Sequence, residues 1–364
     1  MGPGSRTERR LPNCATLARC DDRGTARVES PADAAVGGPG PVTDPAPGRR
    51  RPLVLAGIPR SGTTWTMRAL AADPTLVQVM EPDNEVRSAP AIWAKRSSGR
   101  YPVLLPRDRD DRLAALWSWV MDGAPQNRRI HATELLLRAV RPAENRRYYQ
   151  AKRAPLMRLA GLVGAPPKHR PSTAPSGRRI FVKTVYMPLA LEWLASVFDV
   201  DVLVLFRHPG NVLASWLSLD LNDRYVRLDQ DPKIRSMVDR GELPAPGADA
   251  FERLVWQVGV LDLALERSLA RQPTWVGRTH EQLCVQPINQ FRQLYDELGL
   301  EWTPRAEEYL VSNDRPGVGF PTQRVSADQA DLWKQRLTPA QIATMQQVLA
   351  QFPLTTWDQE EFVP

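Results

Sequence analysis

Arg60, Ser61, Gly62, Thr63 and Thr64 form a turn of the kind that grips a phosphate. They follow the apolar run Leu53-Val54-Leu55-Ala56 and precede a helical pattern. The turn therefore opens a helix whose first N–H groups lack intrahelical partners and whose dipole favours an anion. Gly57 and Gly62 are spaced like the two glycines of a Walker A loop, but Thr63 stands where that motif carries its Lys. The cation stands instead at Arg60, two residues before the second glycine. This displacement argues against an ATP or GTP hydrolase and against a dependence on Mg²⁺.

A second unit begins where the apolar run Asp201-Val202-Leu203-Val204-Leu205-Phe206 gives way to Arg207. Pro209 suits the first turn of the next helix, and Ser215 lies on that helix. A strand-end guanidinium and a helix-borne hydroxyl can close on one anion. Taken alone, Arg207 also reads as a strand-end salt bridge; behind the first loop the pair is stronger than either half. Two more strand ends carry chemistry. Glu81 follows Leu76–Met80, where a carboxylate can take a proton, and Lys183 sits near the end of Ile180–Thr184, where an ammonium can balance developing charge. Asp83 and Glu85 are alternatives to Glu81, and none of His131, His169, His208 and His280 fits the base better.

Pro59-Arg60-Ser61-Gly62-Thr63-Thr64-Trp65 resembles the 5′-phosphosulfate loop of sulfotransferases that use 3′-phosphoadenosine 5′-phosphosulfate (PAPS). Arg207-His208-Pro209, with Ser215 eight residues after the Arg, resembles their 3′-phosphate site. The resemblance implies that Arg60, Ser61, Gly62, Thr63 and Thr64 hold the phosphosulfate and that Arg207 and Ser215 hold the 3′-phosphate. It also implies a stack of Trp65 on the adenine, although Trp65 reads equally as a core aromatic. Glu81-Pro82 is similar to carbohydrate-type and bacterial sulfotransferases rather than to the small-phenol enzymes that use His, which implies Glu81 as the base; Glu81 can also be read as a solvent-facing strand-end side chain. Lys183-Thr184 resembles the Lys-Ser or Lys-Thr before the glycan sulfotransferase cleft; Lys183 can also be read as a snorkelling strand-end side chain. Residues 275–284 resemble the family's Arg-Tyr-Glu-Asp-Leu element but depart from it at His280 and Gln282. Arg324, in a late loop with Gly317 and Gly319, is the implied closing ligand of the 3′-phosphate, although the family's Arg-Lys-Gly triplet is missing.

The implied reaction moves a sulfonate from PAPS to a hydroxyl of a glycan or polyol, without metal. A secondary metabolite is the alternative acceptor. A P-loop kinase would need a Lys after Gly62. A basic binder of nucleic acid or membrane surfaces would leave Arg207 and Ser215 unexplained, so no nucleic-acid partner is expected.

Strands alternating with helices predict a P-loop-like, three-layer α/β fold whose central parallel sheet binds ligands at its carboxyl edge. The expected strands are 53–56, 76–80, 180–184, 201–206 and 274–277, with helices over 62–72, 188–198, 251–271, 287–298 and 339–352. Residues 1–51 read as a disordered leader rich in Pro, Gly, Ala and Arg, and 52–364 as the sulfotransferase domain. Within it, 86–179 reads as a helical insertion forming the acceptor side. The net charge is +7, yet this insertion holds 20 Lys and Arg against 6 Asp and Glu. Such a segment suits an anionic acceptor or is simply a solvated Arg-rich face. No apolar run approaches the roughly 20 residues of a membrane span, and the first 50 residues lack a signal-peptide core, so a cytoplasmic protein is expected. Cys14, Cys20 and Cys284 have no metal-ligand spacing.

Overall fold

Five short strands pair in parallel in the computed structural model: β1 (Leu53–Gly57), β2 (Leu76–Met80), β3 (Arg179–Thr184), β4 (Asp201–Phe206) and β5 (Val276–Thr279). Their order across the sheet is β2-β3-β1-β4-β5. The structure describes residues 50–85, 88–123, 164–166, 178–221, 226–316 and 329–357. The inner strands β1, β3 and β4 are buried on both faces, as continuous hydrophobic runs in a parallel sheet must be. The edge strands are less covered: Gln78 of β2 is exposed, and all of β5 is half-buried.

Alternate residues of each strand face opposite layers. Leu53, Leu55, Phe181, Leu203 and Leu205 meet one core with Met67, Leu70, Phe291, Leu294 and Tyr295. Those partners come from α1 (Thr63–Leu70) and, later in the chain, a helix over Pro287–Glu297. Val54, Ala56, Val182, Val202 and Val204 meet a larger core on the other face. It includes residues of α2 (Ala89–Ala94), α3 (Asp111–Met121), α4 (Leu191–Val197), α5 (Pro209–Ser218), α6 (Pro232–Asp239) and α7 (Ala250–Arg271). This is the three-layer α/β arrangement that the alternating pattern implies. The chain continues through α8 (His280–Cys284), α9 (Pro287–Glu297), α10 (Pro304–Asn313), α11 (Leu332–Arg336) and α12 (Pro339–Leu349).

The register sets the site. Met80 pairs with Lys183, Ala56 with Thr184, and Gly57 with Leu205, so the ends of β1, β2, β3 and β4 are level at one edge. The chain leaves β1 for β2 on one side and later returns to β4 on the other, which makes this edge a topological switch point.

Several element boundaries differ from the sequence pattern, among them one of the first helix and one each of β3 and β5. β5 starts at Val276 rather than 274, because Trp275 N–H closes a turn on the Gln272 carbonyl and pairing with β4 begins at Leu203↔Val276. α1 stops at Leu70, since Ala72 and Asp73 turn back on Ala69 and Leu70. β3 begins at Arg179, a residue that composition alone grouped with the insertion. Of the insertion, α2 and α3 are described; the leader up to residue 49 and Arg324 lie outside the described residues. No described helix is long and apolar enough to cross a membrane.

Candidate active site

The fully buried β1 runs into Gly57, where a Cβ would lie 2.6 Å from Ser61 Oγ and 2.7 Å from the Leu205 carbonyl. The chain then turns sharply, Ser61 N–H closing on the Ile58 carbonyl at 3.1 Å. Arg60 (φ 75°) and Gly62 (φ 90°) both take left-handed backbone, a conformation that costs a non-glycine residue free energy and concentrates at functional sites. Gly62 caps α1 without a side-chain bond, and among the described residues the N–H groups of Gly62, Thr63 and Thr64 find no protein acceptor. Ser61 Oγ is likewise buried and has no hydrogen-bond partner there. Four donors thus converge on one turn at the positive end of a helix, which is the composition of an anion cradle.

The end of β4 and helix α5 close around this turn. Arg207 Nη1 donates to the Arg60 carbonyl at 2.8 Å, Arg60 Nε donates to Ser215 Oγ at 2.9 Å, and Trp216 Nε1 donates to the Pro59 carbonyl at 2.8 Å. The two units that the sequence separated by some 150 residues are therefore one cluster. Arg207 Nε is buried with no hydrogen-bond partner. Burial lowers the Arg207 pKa, Glu281 opposes that shift, and the nearby Arg60 and Arg336 add to it. A bound anion would offset both the burial and the crowding of cations.

On the other side of the loop, Lys183 Nζ donates to Thr64 Oγ1 at 3.0 Å and pairs with Glu81 Oε1. Glu81 itself has left-handed backbone (φ 47°), and its N–H extends the sheet by donating to the Lys183 carbonyl at 2.8 Å. Its second oxygen accepts from Asn84 Nδ2 at 2.7 Å. The alternative carboxylates are built into the scaffold instead. Asp83 has a fully buried side chain that accepts from Thr184 Oγ1 at 2.7 Å and from Lys95 Nζ at 3.3 Å. Glu85 is buried, and its charge falls on Lys95. Burial lowers the Lys95 pKa, with Asp83 and then Glu85 working against the shift. Glu81 keeps 12% of its side chain exposed, the most accessible position of the three.

His280 is the site residue whose place the sequence did not reveal. A Cβ on Gly62 would lie 2.1 Å from His280 Cδ2, so the imidazole forms the floor under the loop. Burial, and secondarily the charge of Arg207, holds its pKa well below the usual value, so it is neutral. β5 ends at Thr279, so His280, the first residue of α8, starts at the sheet edge. Trp65 is half-buried, its ring edge-on to His280 at 5.5 Å and to Phe291 at 5.1 Å between centroids. His208 is committed to structure: its Nδ1 accepts from Gly210 N–H at 3.1 Å and its ring stacks on Trp333 at 4.6 Å. Chemically, the arrangement offers an anion cradle, the buried Arg207 guanidinium beside the Arg60–Ser215 pair, and an ammonium held between the cradle and a partly accessible carboxylate.

No family model matches the sequence, and no curated protein matches it. Among solved structures the chain is similar to a sulfotransferase domain from the curacin biosynthetic pathway, with 15% identity and a TM-score of 0.45 over 84% of this chain and 100% of that one. It is also similar to a sulfotransferase domain from the Synechococcus PCC 7002 olefin synthase, with 16% identity and a TM-score of 0.42 over 85% and 96% of the two chains. A sulfotransferase from Mycobacterium avium gives 18% identity and a TM-score of 0.37 over 85% and 78%. At such identities and scores, function has to be read from the side chains of the site itself.

Proposed function

We propose that this chain is a PAPS-dependent sulfotransferase acting on a hydroxyl of a glycan or polyol. The observation that carries the reading is the ammonium of Lys183, held between Thr64 at the start of the anion-binding helix and the Glu81 carboxylate. In this reading Arg60, Ser61 and the N–H groups of Gly62, Thr63 and Thr64 hold the phosphosulfate, while Arg207 and Ser215 hold the 3′-phosphate. The unpartnered Ser61 Oγ and Arg207 Nε fit such anions. When bound, PAPS supplies a sulfonate activated by its bond to a good phosphate leaving group. Glu81 takes the proton of the acceptor hydroxyl, a role of roughly 10²–10⁴-fold. Lys183, oriented by Thr64, places positive charge where the leaving oxygen gains negative charge. The turn after β2 and strand β3 position the two groups at the sheet edge, which favours in-line positioning. The 20 Lys and Arg of residues 86–179 suit an acidic or already sulfated acceptor.

Calorimetry with adenosine 3′,5′-bisphosphate and with ATP tests this reading. The wild type is expected to bind the bisphosphate more tightly than ATP, and Arg207→Ala to lose most of that preference. Equal or tighter ATP binding would refute the sulfotransferase assignment.

A further inference from the structure

Glu81 enters the turn Glu81-Pro82-Asp83-Asn84 in a left-handed conformation, and its carbonyl accepts Asn84 N–H at 3.1 Å. The Asn84 side chain folds back across the same turn so that Nδ2 reaches Glu81 Oε2 at 2.7 Å. A carboxylate only accepts hydrogen bonds, so the amide must present its nitrogen here. Asn84 is buried, and its own carbonyl accepts from Ser88 N–H at 3.0 Å, the residue that caps α2. The next residue inward, Asp83, ties the turn to Thr184 of β3, the neighbour of Lys183. Glu81 is therefore held at both oxygens from two directions: Lys183 of β3 at Oε1 and Asn84 of its own turn at Oε2. Thr64 of α1 faces it through Lys183, whereas the charges of Asp83 and Glu85 are directed to Lys95 at the end of α2.

We propose that Asn84 is a positioning residue for the base: it holds Oε2 while Lys183 holds Oε1, and so fixes the rotation of the Glu81 carboxylate that receives the acceptor proton. This rests on the sulfotransferase reading for its catalytic meaning, but not for its physical content. A hydrogen bond donated to the ionised form favours that form, so removal of the Asn84 amide has a titration signature.

The test follows the ¹³C carboxyl resonance of Glu81 through a pH titration, assigned by its loss in Glu81→Gln. In Asn84→Ala the midpoint is expected to rise by about one pH unit, the share of one hydrogen bond to a carboxylate. In Asn84→Asp, nearly isosteric and adding a like charge, it is expected to rise further. An unchanged midpoint in a folded Asn84→Ala overturns the proposal; should that variant fail to fold, an unchanged midpoint in Asn84→Asp does so. Adenosine 3′,5′-bisphosphate affinity, measured on the same samples, is expected to stay within about twofold of wild type. Absence of bisphosphate binding by the wild type would sink the sulfotransferase reading, while the Glu81 midpoints would still decide whether Asn84 holds the carboxylate.

Discussion

Arg60 and Glu81 share an unusual property: both have a side chain on left-handed backbone at the carboxyl edge of the sheet. Such a conformation costs on the order of 1–3 kcal/mol and persists where surrounding contacts over-determine it. Arg60 is pinned through its carbonyl by Arg207 and through Nε by Ser215; Glu81 is pinned by Lys183 and Asn84. Glu81→Gln keeps this shape and removes the basic oxygen. It is expected to leave bisphosphate affinity unchanged while single-turnover sulfonate transfer falls by roughly 10²-fold or more; wild-type turnover would move the base elsewhere. Gly62→Ala meets two obstacles at once, a φ of 90° and the His280 ring 2.1 Å from its Cβ. Bisphosphate affinity in this variant is expected to drop at least tenfold, with a lower melting temperature, on the scale set by backbone strain. Calorimetry paired with thermal unfolding checks both. The loop glycines were legible from the sequence because their spacing is itself the signal. Asn84 was not, since Glu-Pro-Asp-Asn reads as an ordinary turn and only the observed backbone shows its amide folding back on Glu81.

At the scale of elements, helix α5 performs two tasks that its sequence announces only in part. Ser215 follows Arg207 at a readable distance, but the clamp of Trp216 on the Pro59 carbonyl depends on how α5 lies against the loop after β1. Trp216 is fully buried, so Trp216→Phe keeps most of the packing and leaves that carbonyl without its indole donor. The expected cost is about 1–3 kcal/mol of stability, together with weaker bisphosphate binding, because the released segment carries Arg60. Denaturant unfolding and calorimetry measure the two effects; a stability loss with unchanged affinity would mean that the clamp does not shape the cradle. The strands themselves were legible because buried parallel strands are continuous apolar runs. The misplaced start of β5 has the opposite cause. Thr274 and Trp275 have strand-like side chains, yet Trp275 is used in a turn and the edge strand begins where pairing with Leu203 begins. That offset hid His280, which its position after the strand would otherwise have brought to the site.

At the scale of the whole molecule, two cores flank the sheet. The larger one contains an ionisable group that its apolar surroundings do not accommodate. Asp262, on α7, is buried with neither carboxyl oxygen hydrogen-bonded among the described residues. Burial, and then the charges of Glu266 and Glu281, push its pKa well above the usual carboxylate value. Glu281 is raised too, chiefly by burial, while Arg207 and its bonds from His208 N–H and Asn211 Nδ2 oppose the shift. Among the described residues no group of three or more His, Cys, Asp or Glu side chains is placed to hold a metal ion. The linkage has a definite sign: a carboxyl whose folded pKa lies above its unfolded value near 3.9 is held protonated by the fold. Its contribution to stability is fully present below the unfolded value and is lost as pH rises toward the folded one. The loss runs at about 1.4 kcal/mol per pH unit within that window. Asp262→Asn keeps the shape and cannot ionise. Its stability is therefore expected to exceed that of the wild type increasingly as pH rises above about 4, until the pH passes the folded pKa. Denaturant unfolding of both proteins from pH 4 to pH 9 measures the difference, and parallel stability curves would show that Asp262 is ionised in the folded protein at no cost.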